Sequence, residues 1–196
     1  MASETFYSPK APVRWAHLIT AREQLDSAKP RAWSCELLLA NAEPAHAEFL
    51  NRLEQAFVDQ HGAKKRRSDK GLPWKPDKEN PSTHTVVKFK ATEFVREDGS
   101  RAAGPKIIDS RKQAWDGQAI GNGSTVILAF TTYGWERPEG AGLSLQPKAC
   151  QVIDLVPLVV DDGIDGFEEQ EGGYSVMAAP GFADEFNEFG GAEVPF

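Results

Sequence analysis

Tyr133, Trp135 and Arg137 alternate along the chain, so a strand through them would set two rings and a guanidinium on one side. That combination suits flat bases stacked on aromatic faces while a cation meets the phosphates between them. The plain alternative is that Trp135 closes the end of a barrel. Lys88 and Lys90 show the same spacing, with Val87, Phe89 and Ala91 on the opposite face of the run Thr85–Val95. Two lysines side by side on a sheet repel each other unless an anion lies between them, although an ordinary solvated face would also carry them.

The densest positive charge is Lys64-Lys65-Arg66-Arg67, followed by Lys70, Lys75 and Lys78, with Trp74 inside the run. Cations that follow a backbone plus a ring for a base is the composition a single strand requires. A wet, flexible loop pinned by Trp74 has the same composition. Trp33, after Arg31 at a strand start, reads as a rim aromatic. Trp15 shares a strand face with Val13 and Ile19 and is expected in the core.

No catalytic constellation is present. His17, His46, His61 and His84 have neither metal-ligand spacing nor a nucleophile beside them. Gly121-Asn122-Gly123-Ser124 leads into a strand, whereas a phosphate loop needs a helix behind it. A calcium loop started at Asp161 would place Gly163 third and Gly172 twelfth, which fails. Cys35 and Cys150 lie in apolar stretches and read as reduced core thiols. No metal or cofactor is expected, and the protein is expected not to be an enzyme.

The elements that must position these residues follow from periodicity. Val13–Ile19, Ala32–Leu39, Thr85–Val95, Lys106–Asp109, Ser124–Tyr133 and Leu143–Val156 read as strands. Gly134–Gly142 reads as the loop between the last two. Pro44–His61 reads as the one helix, with Phe49, Leu50, Leu53, Ala56 and Phe57 on one stripe, Pro44 in the first turn and Gly62 past the end. About six strands and one inserted helix predict a mainly β, OB-like Greek-key barrel.

Charge divides the chain in two. Residues 161–196 hold ten carboxylates and no lysine or arginine, so the first 160 residues carry +3 against −7 for the whole. We expect a domain over 1–160 and a disordered acidic tail over 161–196, with Phe167, Phe182, Phe186, Phe189 and Phe196 suited to docking on a partner. Such a tail would compete with any polyanion bound by the body. No stretch of about 18 apolar residues and no leader-like N-terminus is present, so a soluble protein of the cytoplasm, with no membrane contact, is expected.

Several of these residues carry a resemblance. Gly121-Asn122-Gly123-Ser124, the run ending in Tyr133-Gly134-Trp135, Gly142-Leu143-Ser144-Leu145 and Val152-Ile153-Asp154-Leu155 resemble the C-terminal half of tailed-phage single-stranded DNA-binding proteins. Lys88-Phe89-Lys90 is similar to that family's lysine-bearing strand, and Arg31-Ala32-Trp33 into Glu36-Leu37-Leu38-Leu39 to its second strand. An acidic tail ending in phenylalanine extends the likeness, which spans about residues 6 to 156 in order. This tail is less densely acidic than usual and has more internal phenylalanines.

The resemblance implies an OB barrel with an added helix that coats single-stranded DNA during phage replication, recombination and repair, in the host cytoplasm. It implies that Lys88, Lys90, Tyr133 and Trp135 face DNA, and that the tail, with Phe196 last, meets polymerase and helicase–primase. Adding the residues read directly, the candidate DNA contacts are Lys64, Lys65, Arg66, Arg67, Lys70, Trp74, Lys75, Lys88, Lys90, Tyr133, Trp135, Arg137 and Trp33. The candidate partner contacts are Phe186, Phe189 and Phe196, and a homodimer is left open. Two rivals stand beside this expectation: an adaptor working through its Phe-containing tail, and an enzyme acting on nucleotides or nucleic acid.

Overall fold

The computed structural model describes residues 4–158. The expectations for 161–196, including disorder, the domain boundary and the roles of Phe186, Phe189 and Phe196, lie outside the described residues. Eight strands form: β1 (Phe6–Tyr7), β2 (Ala11–Arg22), β3 (Ala32–Ala40), β4 (Trp74–Pro76), β5 (His84–Thr92), β6 (Lys106–Ile108), β7 (Thr125–Arg137) and β8 (Gly140–Asp154). The helix α1 (Pro44–His61) has the bounds read from its apolar stripe.

Hydrogen-bonded neighbours run β4-β5-β3-β2-β7-β8-β6, with β1 beside β7. Among the described strands only β6 and β8 pair in parallel, and an isolated parallel bridge joins Arg67 to Ala141. β5 and β8 lie side by side without a ladder, and the segment 66–73 fills the seam between them. The Ala141 and Leu143 amides donate to Arg66 O (2.9 Å) and Gly71 O (2.7 Å), while the Lys88 amide donates to Pro73 O (2.7 Å). The result is mainly β and OB-like, as expected, with the helix inserted between β3 and β4.

The interior is made by the inward residues of each strand, among them Val13, Leu37, Phe89, Leu128 and Cys150. α1 lays Phe49, Leu53 and Phe57 onto it, each buried ring or isobutyl group contributing about 2 kcal/mol. Phe130 is the meeting point, edge-on to Phe49 (5.9 Å) and to Phe89 (5.1 Å). His46, buried near the helix start, accepts the Ala40 amide at Nδ1 (3.0 Å) and sets Nε2 3.2 Å from Lys10 O. Those contacts hold the first turn of α1 against the barrel.

Two expectations are corrected. Trp15 is not a core residue: it is 61% exposed and has φ of +52°. A bulge between Arg14 and His17 reverses the inward parity of β2, so Val13 and Leu18 point in while Trp15 and Ile19 point out. Its freed amide donates to Asn122 Oδ1 at 2.8 Å. The stretch Gly134–Gly142 is not a loop either, since β7 runs to Arg137 and β8 restarts at Gly140. Gly134 and Gly142 serve close approach rather than a turn. A methyl at Gly134 would overlap Gln60 and His61, and one at Gly142 would overlap the Trp135 ring.

Candidate nucleic-acid interface

Beyond a second bulge at Ala129 and Phe130, β7 presents two working faces. Thr131, Tyr133, Trp135 and Arg137 line a groove on one side. Thr132, Gly134 and Glu136 turn the other way, toward the end of α1. There Gln60 Nε2 donates to Thr132 Oγ1 (2.7 Å), and Lys65 Nζ and His61 Nδ1 lie 2.6 and 3.2 Å from Glu136. His61 Nε2 is also 3.0 Å from Gly142 O, so both ring nitrogens face acceptors and only the imidazolium form donates to both. First Lys65 and then His61 hold the Glu136 carboxyl below its ordinary range. The strand that carries the rings is thus backed by polar bonds to the helix.

The groove has a volume of about 1110 Å³. One wall is β7 and β8, the latter contributing Ser144, Gln146 and Lys148. The other wall comes from Trp33, Lys90 and Ala91 on β3 and β5, and from Phe94 and Gly104 in the β5–β6 connection. Four rings (Trp33, Phe94, Tyr133, Trp135) and three cations (Lys90, Arg137, Lys148) therefore share one groove whose lining, among the described residues, contains no carboxylate. Tyr133 is 58% exposed, whereas Trp33 is only 6% exposed, with the backbone of Gly104 against its indole. Trp135 is fixed from two sides. Its Nε1–H donates to Ser144 Oγ (3.2 Å), and the Arg137 guanidinium lies 5.0 Å over its ring. A platform held this way loses little freedom when a base lands on it.

Lys90 joins the groove to a second hollow of about 580 Å³ that includes His17, Arg22, Lys29 and Lys88 together with the carboxylates Glu23 and Asp26, the latter 3.1 Å from Lys29. Neither Lys88 nor Lys90 makes an ion pair among the described residues. Burial, then the charges of Lys88 and Lys29, push the Lys90 ammonium below its usual range. A phosphate beside it would relieve that strain. His17 is likewise held below 6.5 by burial and by Arg22, whose Nη1 donates to His17 Nε2 at 2.8 Å.

The basic run lies elsewhere. Lys65 is committed to Glu136, and Arg67 clasps Glu54 through two bonds (2.6 and 3.1 Å) while its guanidinium sits 4.8 Å over the Phe57 ring. Lys64, Arg66, Lys70 and Lys75 are exposed outside the groove lining, and Trp74 is half-buried on β4 against the core. Of the thirteen candidates, the structure brings Trp33, Lys90, Tyr133, Trp135 and Arg137 into one groove, with Lys88 beside it. Lys148 and Phe94 were missed. The polar alternation Ser144, Gln146, Lys148 against Leu143 and Leu145 was the available signal for Lys148. For Phe94 it was an apolar ring standing just before the turn Glu97–Ser100.

No protein-family model matches the chain, and no curated protein matches its sequence. Solved structures do match. The single-stranded DNA-binding protein gp2.5 of bacteriophage T7 superposes with a TM-score of 0.62 at 18% identity, over 89% of this chain and 99% of that one. The single-stranded DNA-binding protein of bacteriophage Enc34, solved in complex with single-stranded DNA, gives 0.59 at 11% identity, over 79% and 89%. Another structure of the Enc34 protein gives 0.56 at 12%, over 83% and 90%. At these identities the chain shares with the phage single-stranded DNA-binding proteins their fold.

Proposed function

We propose that this protein binds single-stranded DNA without reading its sequence, in the service of phage DNA replication, recombination and repair in the host cytoplasm. One observation carries the proposal: among the described residues, four rings and three cations line a groove to which no carboxylate contributes. Tyr133 and Trp135 stack bases, Trp33 floors the site, and Lys90, Arg137 and Lys148 meet phosphates, with Lys88 continuing the track. Lys64, Arg66, Lys70 and Lys75, outside the lining, add at most a general field, the paired Lys65 and Arg67 less, and Trp74 packs on the core. The DNA-binding proteins of T7 and Enc34 that share the fold support the choice of ligand.

The test is quenching of tryptophan fluorescence on titration with oligo-dT across a salt series. Three or four phosphates neutralised would give a slope of log K against log salt of about −2 to −3, at about −0.7 per phosphate. No complex at low ionic strength would overturn the proposal. For residues 161–196 we propose contact with replication proteins such as polymerase and helicase–primase through Phe186, Phe189 and Phe196. Support comes from composition alone: ten carboxylates with interspersed phenylalanines. A pulldown of those enzymes that survives removal of 161–196 would exclude it.

A further inference from the structure

The β5–β6 connection begins with a small hairpin, whose turn amides are satisfied internally. Ala102 N–H donates to Phe94 O and Arg96 N–H to Ser100 O, both at 2.8 Å, and Gly99 N–H donates to Arg96 O at 2.9 Å. The Arg101–Glu93 ion pair (2.7 Å) braces its base. Arg96 is spent inside the hairpin, donating to Ser100 Oγ and Arg101 O while its guanidinium sits 5.9 Å from the Phe94 ring. This small, self-sufficient unit carries a phenylalanine that is 60% exposed and lines the same groove as Tyr133 and Trp135.

An exposed phenyl ring has no polar atom for water to satisfy, and its flat face matches a nucleobase. The backbone bonds fix where the ring starts, and among the described residues no core contact holds its other face. We propose that Phe94 is the second wall of a base clamp: bases enter between it and the Tyr133–Trp135 platform instead of lying on one open surface. The clamp rests on the single-strand function proposed above and assigns a role to a residue outside the β7 platform. A base held on two faces must be withdrawn from both before it leaves, so Phe94 acts on dissociation. The groove cations act at a distance and govern association.

Stopped-flow release of oligo-dT from the full chain separates these roles. Phe94→Ala and Phe94→Leu should each dissociate about 5- to 100-fold faster, with an association rate within about twofold of the parent. Phe94→Tyr should restore the parent rate, and all four proteins should release an abasic oligonucleotide at one rate. Coincident thermal melts should accompany this, because the ring is outside the core. Parent-like release from Phe94→Ala, or from Phe94→Leu, would overturn the clamp while leaving oligo-dT binding in place. Failure of the parent to bind oligo-dT at all would remove the function beneath it.

Discussion

Two cationic regions of this molecule look alike in composition and differ in bookkeeping of charge. The run Lys64–Lys75 is dense, yet Lys65 and Arg67 are matched to Glu136 and Glu54, and Arg67 also covers Phe57. Among the described residues the groove has only Lys90, Arg137 and Lys148, spread over three strands, but no carboxylate of those residues shares its lining. A cation already facing a carboxylate releases no net charge to a phosphate. A sparse cation without one offers its whole field. The lesson is that what stands opposite a charge decides its availability, more than how many charges are adjacent in sequence.

The comparison breaks most visibly at the rings that only the groove has. Trp135→Ala should weaken oligo-dT binding by about 10-fold or more, in the range of base stacking. Replacing Trp74 on β4 should change affinity little and melting temperature more. Equal losses in affinity from the two tryptophans would erase the distinction between regions.

The next effect is in salt dependence. Lys90→Gln combined with Lys148→Gln should flatten the log K against log salt slope by about 1.4, two phosphates at about 0.7 each. Lys65→Gln combined with Arg67→Gln should leave the slope nearly unchanged. The reverse ranking would show that the loop binds the strand.

Stability should rank the other way. Arg67→Gln removes the cation over Phe57 and an ion pair that is largely screened, for a loss of about 1 kcal/mol. A fall of about 2–4 °C in Tm, with unchanged affinity, is the expected calorimetric and binding result.

The smallest effect concerns pH. His17 is held below 6.5 by burial and Arg22, so it is neutral at pH 7 and gains charge only in more acid solution. Protonation adds a cation beside Lys88 and Lys90, so DNA affinity should rise as the pH falls below 6.5, and His17→Gln should flatten that rise. The lowered value also means that the folded state binds this proton less readily than the unfolded one. Its contribution to stability is complete above pH 6.5 and is lost as the pH falls.

What could be read from the residues was local. The helix Pro44–His61 and the Lys88-Phe89-Lys90 alternation are set by neighbours three, four or two positions away, and both appear as expected. Trp15 was misread because a bulge shifts parity without a residue type that announces it. Gly134 and Gly142 looked like punctuation, but they are small because a helix end and an indole pack on them. The neutralisation of Lys65 by Glu136 joins side chains 71 positions apart, which only the fold brings together. The same holds for the site: its rings were legible in pairs, and their assembly with Phe94 and Lys148 was not.

The seam between β5 and β8 has a mechanical consequence. A barrel fastened along one stave by a looping segment, rather than by a continuous ladder, should breathe there first. The Ala141 and Leu143 amides, tied to that segment, should exchange their protons with solvent through a partial opening well below the free energy of global unfolding. In such an opening the long hairpin would swing as one leaf while the remaining strands keep their register.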